Sequence, residues 1–175
     1  MVISRSHTPK YFAITVLSLA ILASACASTT SESKAGEPAA IAAPDLSSTL
    51  IDGTPITLSE KISQRPVVLW FWAPGCATCN AEAPAIEATA KKFANDVIVL
   101  GVAWNGTTQA MSDFETRHGL TFTSVNDADG KIYEQFGIPV QPAWVFISQD
   151  GSMTTRLGAI DDRSLEAELQ KLSGL

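Results

Sequence analysis

The sequence predicts an α/β fold, and three observations support this prediction. Two continuous apolar runs, residues 67–72 and 97–103, have the length and composition of strands buried on both faces of a sheet. An alanine-rich segment of high helix propensity, residues 80–88, belongs to a helix expected from Cys76 to Phe93 between them, which indicates a parallel pair of strands joined by a helix. Near the C-terminus, a short apolar segment and an Asp-Gly turn are typical of a β-hairpin and precede one final helix.

The predicted domain begins near Pro44 with a short hairpin. Its strands are residues 45–50 and 55–58, and an Asp-Gly pair forms the turn between them. The helix after the first apolar strand contains Pro84, which predicts a bend because a proline inside a helix removes a backbone hydrogen bond.

Beyond the second apolar strand, turn residues divide the chain into shorter elements. The polar residues 108–118 predict a helix, and the alternating residues 120–125 predict a strand close to the edge of the sheet. Residues 127–130 form a turn before a short helix of residues 131–136.

The last predicted elements are a hairpin and a helix. Residues 143–147 and 153–157 form the two strands. Asp161 or Asp162 can cap the helix, because a carboxylate at that position accepts a hydrogen bond from a free backbone N–H. The helix shows apolar residues at helical spacing: Leu165, Leu169 and Leu172.

A cysteine pair follows the first apolar strand and is the candidate catalytic centre. Pro74 and Gly75 end the strand, and a Cys-Ala-Thr-Cys segment, from Cys76 to Cys79, opens the alanine-rich helix. Unpaired backbone N–H groups and the positive end of the helix dipole favour a thiolate at a helix N-terminus, so Cys76 is the predicted nucleophile. Cys79 lies about one helical turn away, where it can form a disulfide with Cys76 or resolve a mixed disulfide.

The cysteine pair has two other interpretations, a structural role in the core and half of a zinc site. Zinc in proteins takes about four ligands. The remaining candidate ligands are His7, Cys26 and His118, and the first two fall in or beside a segment assigned below to export. One histidine does not complete such a site, so the redox interpretation is favoured.

The composition is that of one acidic globular domain with appendages. The chain has 175 residues, of which 46% are hydrophobic, and a formal net charge of -6. Removal of residues 1–25, which contain Arg5 and Lys10 but no acidic residue, takes the net charge from -6 to -8. This acidity argues against nucleic acid as a partner.

The N-terminus has the features of an export signal. Positive residues precede an apolar run, residues 11–23, that is too short for a comfortable membrane span but suits a signal-peptide core. The run ends in Leu-Ala-Ser-Ala-Cys, which resembles a bacterial lipobox and predicts lipidation of Cys26. The same residues satisfy the rule for ordinary cleavage, so a soluble secreted form is the alternative. Lipidation also leaves only the pair Cys76 and Cys79 as thiols.

The chain therefore divides into a signal peptide, residues 1–25, a flexible tether, residues 26–43, and one domain, residues 44–175. The tether is rich in Ala, Ser, Thr and Glu and has no aromatic residue, so it lacks the means to bury a core. It either spaces the domain from a membrane or is an N-terminus without a role of its own.

Residues 44–175 resemble the thioredoxin superfamily, and within it the extracytoplasmic branch of TlpA, ResA and DsbE. The resemblance lies in Phe71-Trp72-Ala73 before the Cys-Ala-Thr-Cys segment, in Glu82 and Pro84, and in the segment from Phe136 to Ala143. Particular similarity is to secreted DsbE-like proteins of actinobacteria. The resemblance implies a thioredoxin-like α/β fold, with a central mixed β-sheet flanked by helices, an N-terminal hairpin and a central helix-strand insertion.

The resemblance also implies roles for residues outside the cysteine pair. Pro142 is expected to be a cis-proline facing the disulfide, and the backbone of Gln141 is expected to pair with an extended substrate peptide. An ordinary trans proline at the start of a strand is the alternative for Pro142. Glu82 matches a glutamate that the branch uses near its dithiol, which leads to the hypothesis that Glu82 manages the proton of Cys79. A solvated surface carboxylate is the alternative for Glu82.

Four positions depart from the wider family or have a second interpretation. Trp70 stands where cytoplasmic thioredoxins carry a buried acid, and Gly75 replaces the usual tryptophan before the first cysteine. Thr78 replaces the commoner proline, and its hydroxyl group can donate a hydrogen bond to the Cys76 thiolate. Trp104 follows the second apolar strand, where it either contacts substrate or packs in the core.

The predicted function is thiol-disulfide exchange on exported cysteine-containing proteins, without a cofactor. A membrane redox partner would recycle the dithiol, and the lipid anchor would hold the protein at the membrane. The direction leans slightly towards oxidant, and a reductase of the cytochrome c maturation type is the first alternative. A thiol peroxidase lacks support because no Pro-x-x-x-Thr-x-x-Cys pattern surrounds Cys76. A metal-binding thiol protein lacks ligands.

Overall fold

A computed structural model describes residues 41–175 of the chain. The predicted signal peptide, Cys26 and most of the predicted tether lie outside these residues. Within residues 41–175, no helix combines the length and the apolar character needed to cross a membrane.

The described residues form eight strands and five helices. The strands are β1 Ile41–Ala42, β2 Ser47–Thr49, β3 Pro55–Thr57, β4 Val67–Trp72, β5 Ile98–Trp104, β6 Ser124–Asp127, β7 Ala143–Ile147 and β8 Ser152–Leu157. The helices are α1 Leu58–Ile62, α2 Ala77–Lys92, α3 Thr108–His118, α4 Lys131–Gln135 and α5 Asp162–Ser173.

The central sheet is mixed, with strand order β1-β8-β7-β4-β5-β6. Strand β4 lies between a parallel neighbour, β5, and an antiparallel neighbour, β7. Strands β2 and β3 form a separate two-stranded hairpin. The predicted mixed α/β architecture, the parallel pair and both hairpins are therefore confirmed.

The six residues of β4 are buried, and alternate side chains belong to two different cores. Val67, Leu69 and Phe71 face the core formed with α4 and the N-terminal hairpin. The other face of β4 packs against α2, α3 and α5. A strand covered on both sides needs apolar residues at every position, which explains the continuous rather than alternating pattern of its sequence.

Stacked aromatic rings line the face of β4 that meets α2, α3 and α5. The indole ring of Trp70 stacks on Trp72 and on Trp144, with centroid separations of 5.8 and 6.1 Å. Trp72 stacks in turn on Phe114 of α3 at 4.1 Å. Gly101 of β5 makes room for the Trp72 indole, because a Cβ atom at that position would lie 2.6 Å from its Nε1 atom.

Several boundaries differ from the sequence-based predictions, and three of these differences have a clear physical reason. The strand expected at residues 120–125 begins at Ser124, because the Thr121 backbone N–H donates to the Glu87 carboxylate instead of to a neighbouring strand. Leu120 and Phe122 alternate because they pack against the α2 and α3 core, so their pattern reports burial and not strand pairing.

The other two corrections concern the N-terminal part of the domain. Leu58, expected at the end of the hairpin, is buried and begins helix α1. Ile41 and Ala42, expected in the flexible tether, form β1 and pair with Met153 and Ser152 of β8. Backbone pairing with an edge strand orders these two residues although their composition does not favour a core.

Candidate active site

The cysteine pair lies at the junction of β4 and α2. Helix α2 begins at Ala77, with Cys76 as its N-cap residue, and the Cys76 Sγ accepts a hydrogen bond of 3.1 Å from the Cys79 backbone N–H. The two cysteines form a disulfide with a Cα separation of 5.3 Å. Cys79 is fully buried, whereas Cys76 is partly exposed, so Cys76 is the sulfur that a protein partner can reach.

Residues on both sides of Cys76 leave its approach open. Gly75, Ala77 and Thr78 are exposed. The hydrogen bond to the Cys76 sulfur in this oxidised form comes from the Cys79 backbone and not from the Thr78 hydroxyl group that the sequence suggested.

The Glu82 side chain lies on α2, three residues after Cys79, and therefore on the same face of the helix. Its Oε1 atom accepts a hydrogen bond of 3.1 Å from the Trp70 indole Nε1. Its Oε2 atom is buried and has no hydrogen-bond partner among residues 41–175, although the Ile160 backbone amide faces the carboxylate. Burial raises the pKa of Glu82 to about 7, and the Trp70 and Ile160 donors lower it to a smaller extent.

A glutamate with a pKa near neutrality can both accept and donate a proton in the physiological range. Trp70 stands where cytoplasmic thioredoxins carry a buried acid. From this position on β4, its indole N–H donates a hydrogen bond to the Glu82 carboxylate. The hypothesis that Glu82 manages a proton thus has in its favour a half-buried carboxylate one helical turn from the buried Cys79, and the description of a freely solvated surface glutamate does not fit.

Pro142 and Gln141 lie just before β7, at the end of the sheet where β4 leads into the cysteine loop. The Gln141–Pro142 peptide bond is cis, as the resemblance implies. Ala143, the next residue, pairs with Phe71 near the end of β4, which places Pro142 at the same edge as the loop that leads to Cys76. Gln141 is partly exposed, and its backbone makes no hydrogen bond to other backbone groups of residues 41–175.

Trp104 ends β5 at this same edge and is partly buried. Its ring packs on Tyr133 of α4 at a centroid separation of 4.9 Å. The Tyr133 hydroxyl donates a hydrogen bond of 3.2 Å to the carbonyl oxygen of Trp72, where β4 ends. Burial raises the pKa of Tyr133, which keeps the phenol protonated as a donor. Trp104 therefore supports the residue that holds the end of β4, whether or not it also meets a substrate.

Asn80 connects the cysteine loop to helix α3. Its Nδ2 atom donates to the carbonyl oxygens of Pro74 and Cys76, at 3.0 and 2.8 Å. Its Oδ1 atom lies 3.1 Å from a guanidinium nitrogen of Arg117 and 3.0 Å from the Nε2 atom of His118. Burial, and to a smaller extent the charge of Arg117, lowers the pKa of His118, which favours the neutral ring. Because the Asn80 Oδ1 atom can only accept, the His118 Nε2 atom is the donor in this pair.

The site contains residues that the sequence did not single out. Asn80, Arg117 and Tyr133 were not predicted, and His118 was considered only as a zinc ligand. Asn80 directly follows the Cys-Ala-Thr-Cys segment, which is the one local signal that could have drawn attention to it. Within residues 41–175, no group of three or more His, Cys, Asp and Glu side chains is arranged to hold a metal ion.

Comparison with known proteins supports the same assignment. Residues 40–156 match the model of the AhpC/TSA family. The chain is 39% identical over 124 residues to the soluble secreted antigen MPT53 of Mycobacterium tuberculosis, an alignment covering 69% of this chain and 70% of the relative. It is 26% identical to the thiol-disulfide oxidoreductase ResA of Oceanobacillus iheyensis, over 70% of this chain and 65% of the relative.

A solved structure of a related protein shows the same fold. A secreted disulfide oxidoreductase of Mycobacterium tuberculosis, described as homologous to Escherichia coli DsbE, superposes with a TM-score of 0.67. The two sequences are 35% identical, and the match covers 73% of this chain and 96% of that one. The resemblance to the ResA and DsbE branch is thus confirmed. The chain belongs to the AhpC/TSA family and is a thiol-disulfide oxidoreductase with a thioredoxin-like fold.

Proposed function

We propose that the protein is an exported oxidoreductase that exchanges disulfides with extracytoplasmic proteins through Cys76 and Cys79. One observation carries the proposal: an accessible cysteine caps helix α2 and is joined in a disulfide to a cysteine that solvent does not reach. This asymmetry lets a partner attack one sulfur, while the other stays ready to complete the exchange.

In the oxidising direction, a substrate thiolate attacks the Cys76 sulfur, and the Cys76–Cys79 bond breaks. Cys79 leaves as a thiolate and takes up a proton, and a mixed disulfide joins Cys76 to the substrate. A second substrate thiolate then attacks the substrate sulfur of that bond, and Cys76 leaves as a thiolate. The substrate loses two electrons to the protein, and the reverse sequence reduces a substrate disulfide.

Glu82 is the proposed partner for the Cys79 proton. A buried thiolate is unfavourable in apolar surroundings, so proton transfer to or from Cys79 must accompany its release or attack. The protonated Glu82 carboxyl can supply that proton in the oxidising direction, and its ionised form can remove it in the reducing direction.

Gln141 and Pro142 are the proposed contacts for the substrate backbone. They lie at the edge of the sheet where the cysteine loop begins, and the Gln141 backbone groups have no backbone partner within the described domain. An extended peptide bound there would form main-chain hydrogen bonds independent of its sequence, which suits an enzyme that acts on many unfolded proteins.

Export and a lipid anchor on Cys26 complete the proposal. The name of MPT53 describes a soluble secreted protein, and this similarity supports the proposal that the present chain is also exported. The proposed lipid anchor rests on the lipobox-like sequence alone. A membrane protein that exchanges electrons with the dithiol is the proposed recycling partner.

The first prediction concerns the roles of the two cysteines. Cys79→Ser should accumulate a mixed disulfide with a disulfide-containing model peptide, because Cys76 can attack but no second thiol resolves the product. Cys76→Ser should form little of this adduct, since Cys79 is buried. Non-reducing electrophoresis and mass spectrometry measure the adducts. Equal trapping by both variants would contradict the assignment of Cys76 as the attacking sulfur.

The second prediction concerns the direction of exchange. Equilibration of the protein with glutathione should give a reduction potential of about -120 to -180 mV, the range of oxidants and isomerases, if the oxidising direction is correct. A potential near about -270 mV would instead identify a reductase. Failure of the pair to cycle at all would refute the proposed function.

The third prediction uses the raised pKa of Glu82. In wild type, peptide-disulfide reduction should rise with pH through about 7 as the carboxylate ionises and becomes a base. Glu82→Gln should lack this step and react about tenfold or more slowly above pH 7, because the amide cannot accept the proton. Stopped-flow rates between pH 5 and 9 measure the effect, with Glu134→Gln on α4 as the matched control.

The same substitution has a thermodynamic signature. Because burial raises the pKa of Glu82 in the folded protein, folding is more favourable when this carboxyl is protonated. This contribution to the free energy of unfolding is complete below the unfolded-state pKa and is lost as pH rises through about 7. Relative to wild type, oxidised Glu82→Gln should therefore gain stability in urea unfolding as pH increases from about 5 to 8. A parallel pH dependence for both proteins would show that Glu82 is not in the inferred environment.

The fourth prediction concerns Cys26. Expressed in a bacterium with the lipoprotein pathway, the full chain should incorporate labelled fatty acid and partition into detergent, whereas Cys26→Ser should not. A wild-type protein that is cleaved after Ala25 and recovered without lipid would favour the soluble secreted alternative.

A further inference from the structure

The Asn80 side chain spans the gap between the cysteine loop and helix α3 with four polar contacts. Two of them reach the carbonyl oxygens of Pro74 and Cys76, and the other two come from Arg117 and His118. Donors on one side and acceptors on the other leave one orientation of the amide consistent with all four contacts. The side chain is therefore well placed to transmit the position of α3 to the backbone at Cys76.

Helix α3 holds its two donors in place through aromatic packing. The Arg117 guanidinium lies over the Phe114 ring at 5.6 Å, and the His118 ring packs on the same ring at 4.5 Å. Phe114 is fully buried and stacks on Trp72. An otherwise exposed arginine is thus restrained near the N-terminus of α2.

The local charges make this arginine important to the redox state. Reduction of the disulfide adds two electrons, after which the buried Cys79 takes up a proton and the helix N-terminus favours the thiolate form of Cys76. The first turn of α2 has no acidic residue. Ionisable groups described near this end of the sheet include Glu82 on α2, His118 on α3, Asp127 on β6 and Tyr133 on α4, and burial favours the neutral form of each. Arg117 is the group with a permanent positive charge.

We propose that Asn80 is a positioning residue for Cys76, and that Arg117, held by Asn80, stabilises the Cys76 thiolate and makes the disulfide more oxidising. The proposal rests on the proposed function and adds to it a residue pair that sets the potential. The central helix-strand insertion thereby acquires a role at the active site, because α3 carries the charge and Asn80 connects that charge to the loop.

Charge and geometry can be separated at position 117. Arg117→Gln retains a hydrogen-bond donor but removes the charge, and Arg117→Lys retains the charge. Lys171→Gln is the matched control, because it removes one positive charge from the last turn of α5. All three substitutions are at exposed positions, so the variants should fold.

The equilibrium constant of each variant with glutathione at pH 7 is the main measurement. Arg117→Gln should shift it about two- to threefold towards the disulfide, as expected for one partly screened charge near the thiolate. The pKa of Cys76, followed by thiolate absorbance, should rise in the same variant. Arg117→Lys should show a smaller shift, and Lys171→Gln should match wild type.

Position 80 tests the connection itself. Asn80→Ala should also shift the equilibrium towards the disulfide, and adding Arg117→Gln to it should change little further, because the charge is no longer held. Asn80→Asp should raise the Cys76 pKa more than Asn80→Ala, since it adds a negative charge beside the Cys76 carbonyl.

Equilibrium constants and Cys76 pKa values equal to wild type in Arg117→Gln and Asn80→Ala would overturn the proposal, even if both variants unfolded more easily. Additive effects of the two substitutions would overturn the connection between them. The glutathione equilibrium requires no protein substrate, so its outcome is distinct from a failure of the wild-type protein to exchange disulfides with peptides.

Discussion

Burial of β4 on both faces, between a parallel and an antiparallel neighbour, is the constraint on which the active site depends. A strand held in this way fixes the direction in which the chain leaves it, and the cysteine loop begins where β4 ends. The Tyr133 hydroxyl group holds the last carbonyl of the strand, and Asn80 holds two carbonyls of the loop. These contacts position the backbone around Cys76, the proposed nucleophile, without involving its sulfur.

The proposed acid-base group, Glu82, lies on helix α2 and is held by a donor on strand β4. Trp70 occupies the position on β4 where a buried carboxylate would otherwise stand, and its indole N–H donates to Glu82 of α2. The neutral Trp70 and Ile160 donors do not compensate for burial, so the pKa of the Glu82 carboxyl is raised to about 7. A charged donor in place of the tryptophan would lower that pKa and remove the ability to exchange protons at neutral pH.

The inserted helix α3 and the segment that follows it contact α2 at two places along the length of α2. Near the active site, Asn80 contacts Arg117 and His118 at the end of α3. About two turns further along α2, the buried Glu87 carboxylate accepts hydrogen bonds from the backbone and the hydroxyl group of Thr121, and it forms an ion pair with Lys91. These contacts join the insertion to the catalytic helix, so the insertion belongs structurally to the active site.

The sequence by itself determined the strand-loop-helix arrangement around Cys76 and Cys79, because continuous apolar runs, an alanine-rich helix and a Pro-Gly break are local signals. Other local signals, namely a polar helical segment, leucines at helical spacing and an Asp-Gly turn, located α3, α5 and the terminal hairpin. The resemblance supplied Glu82 and Pro142. Only the tertiary structure showed that Asn80 meets Arg117, that Trp70 meets Glu82, and that pairing in β6 begins at Ser124. Each of these depends on elements distant in the chain, and no local periodicity encodes which side chains will meet when such elements pack together.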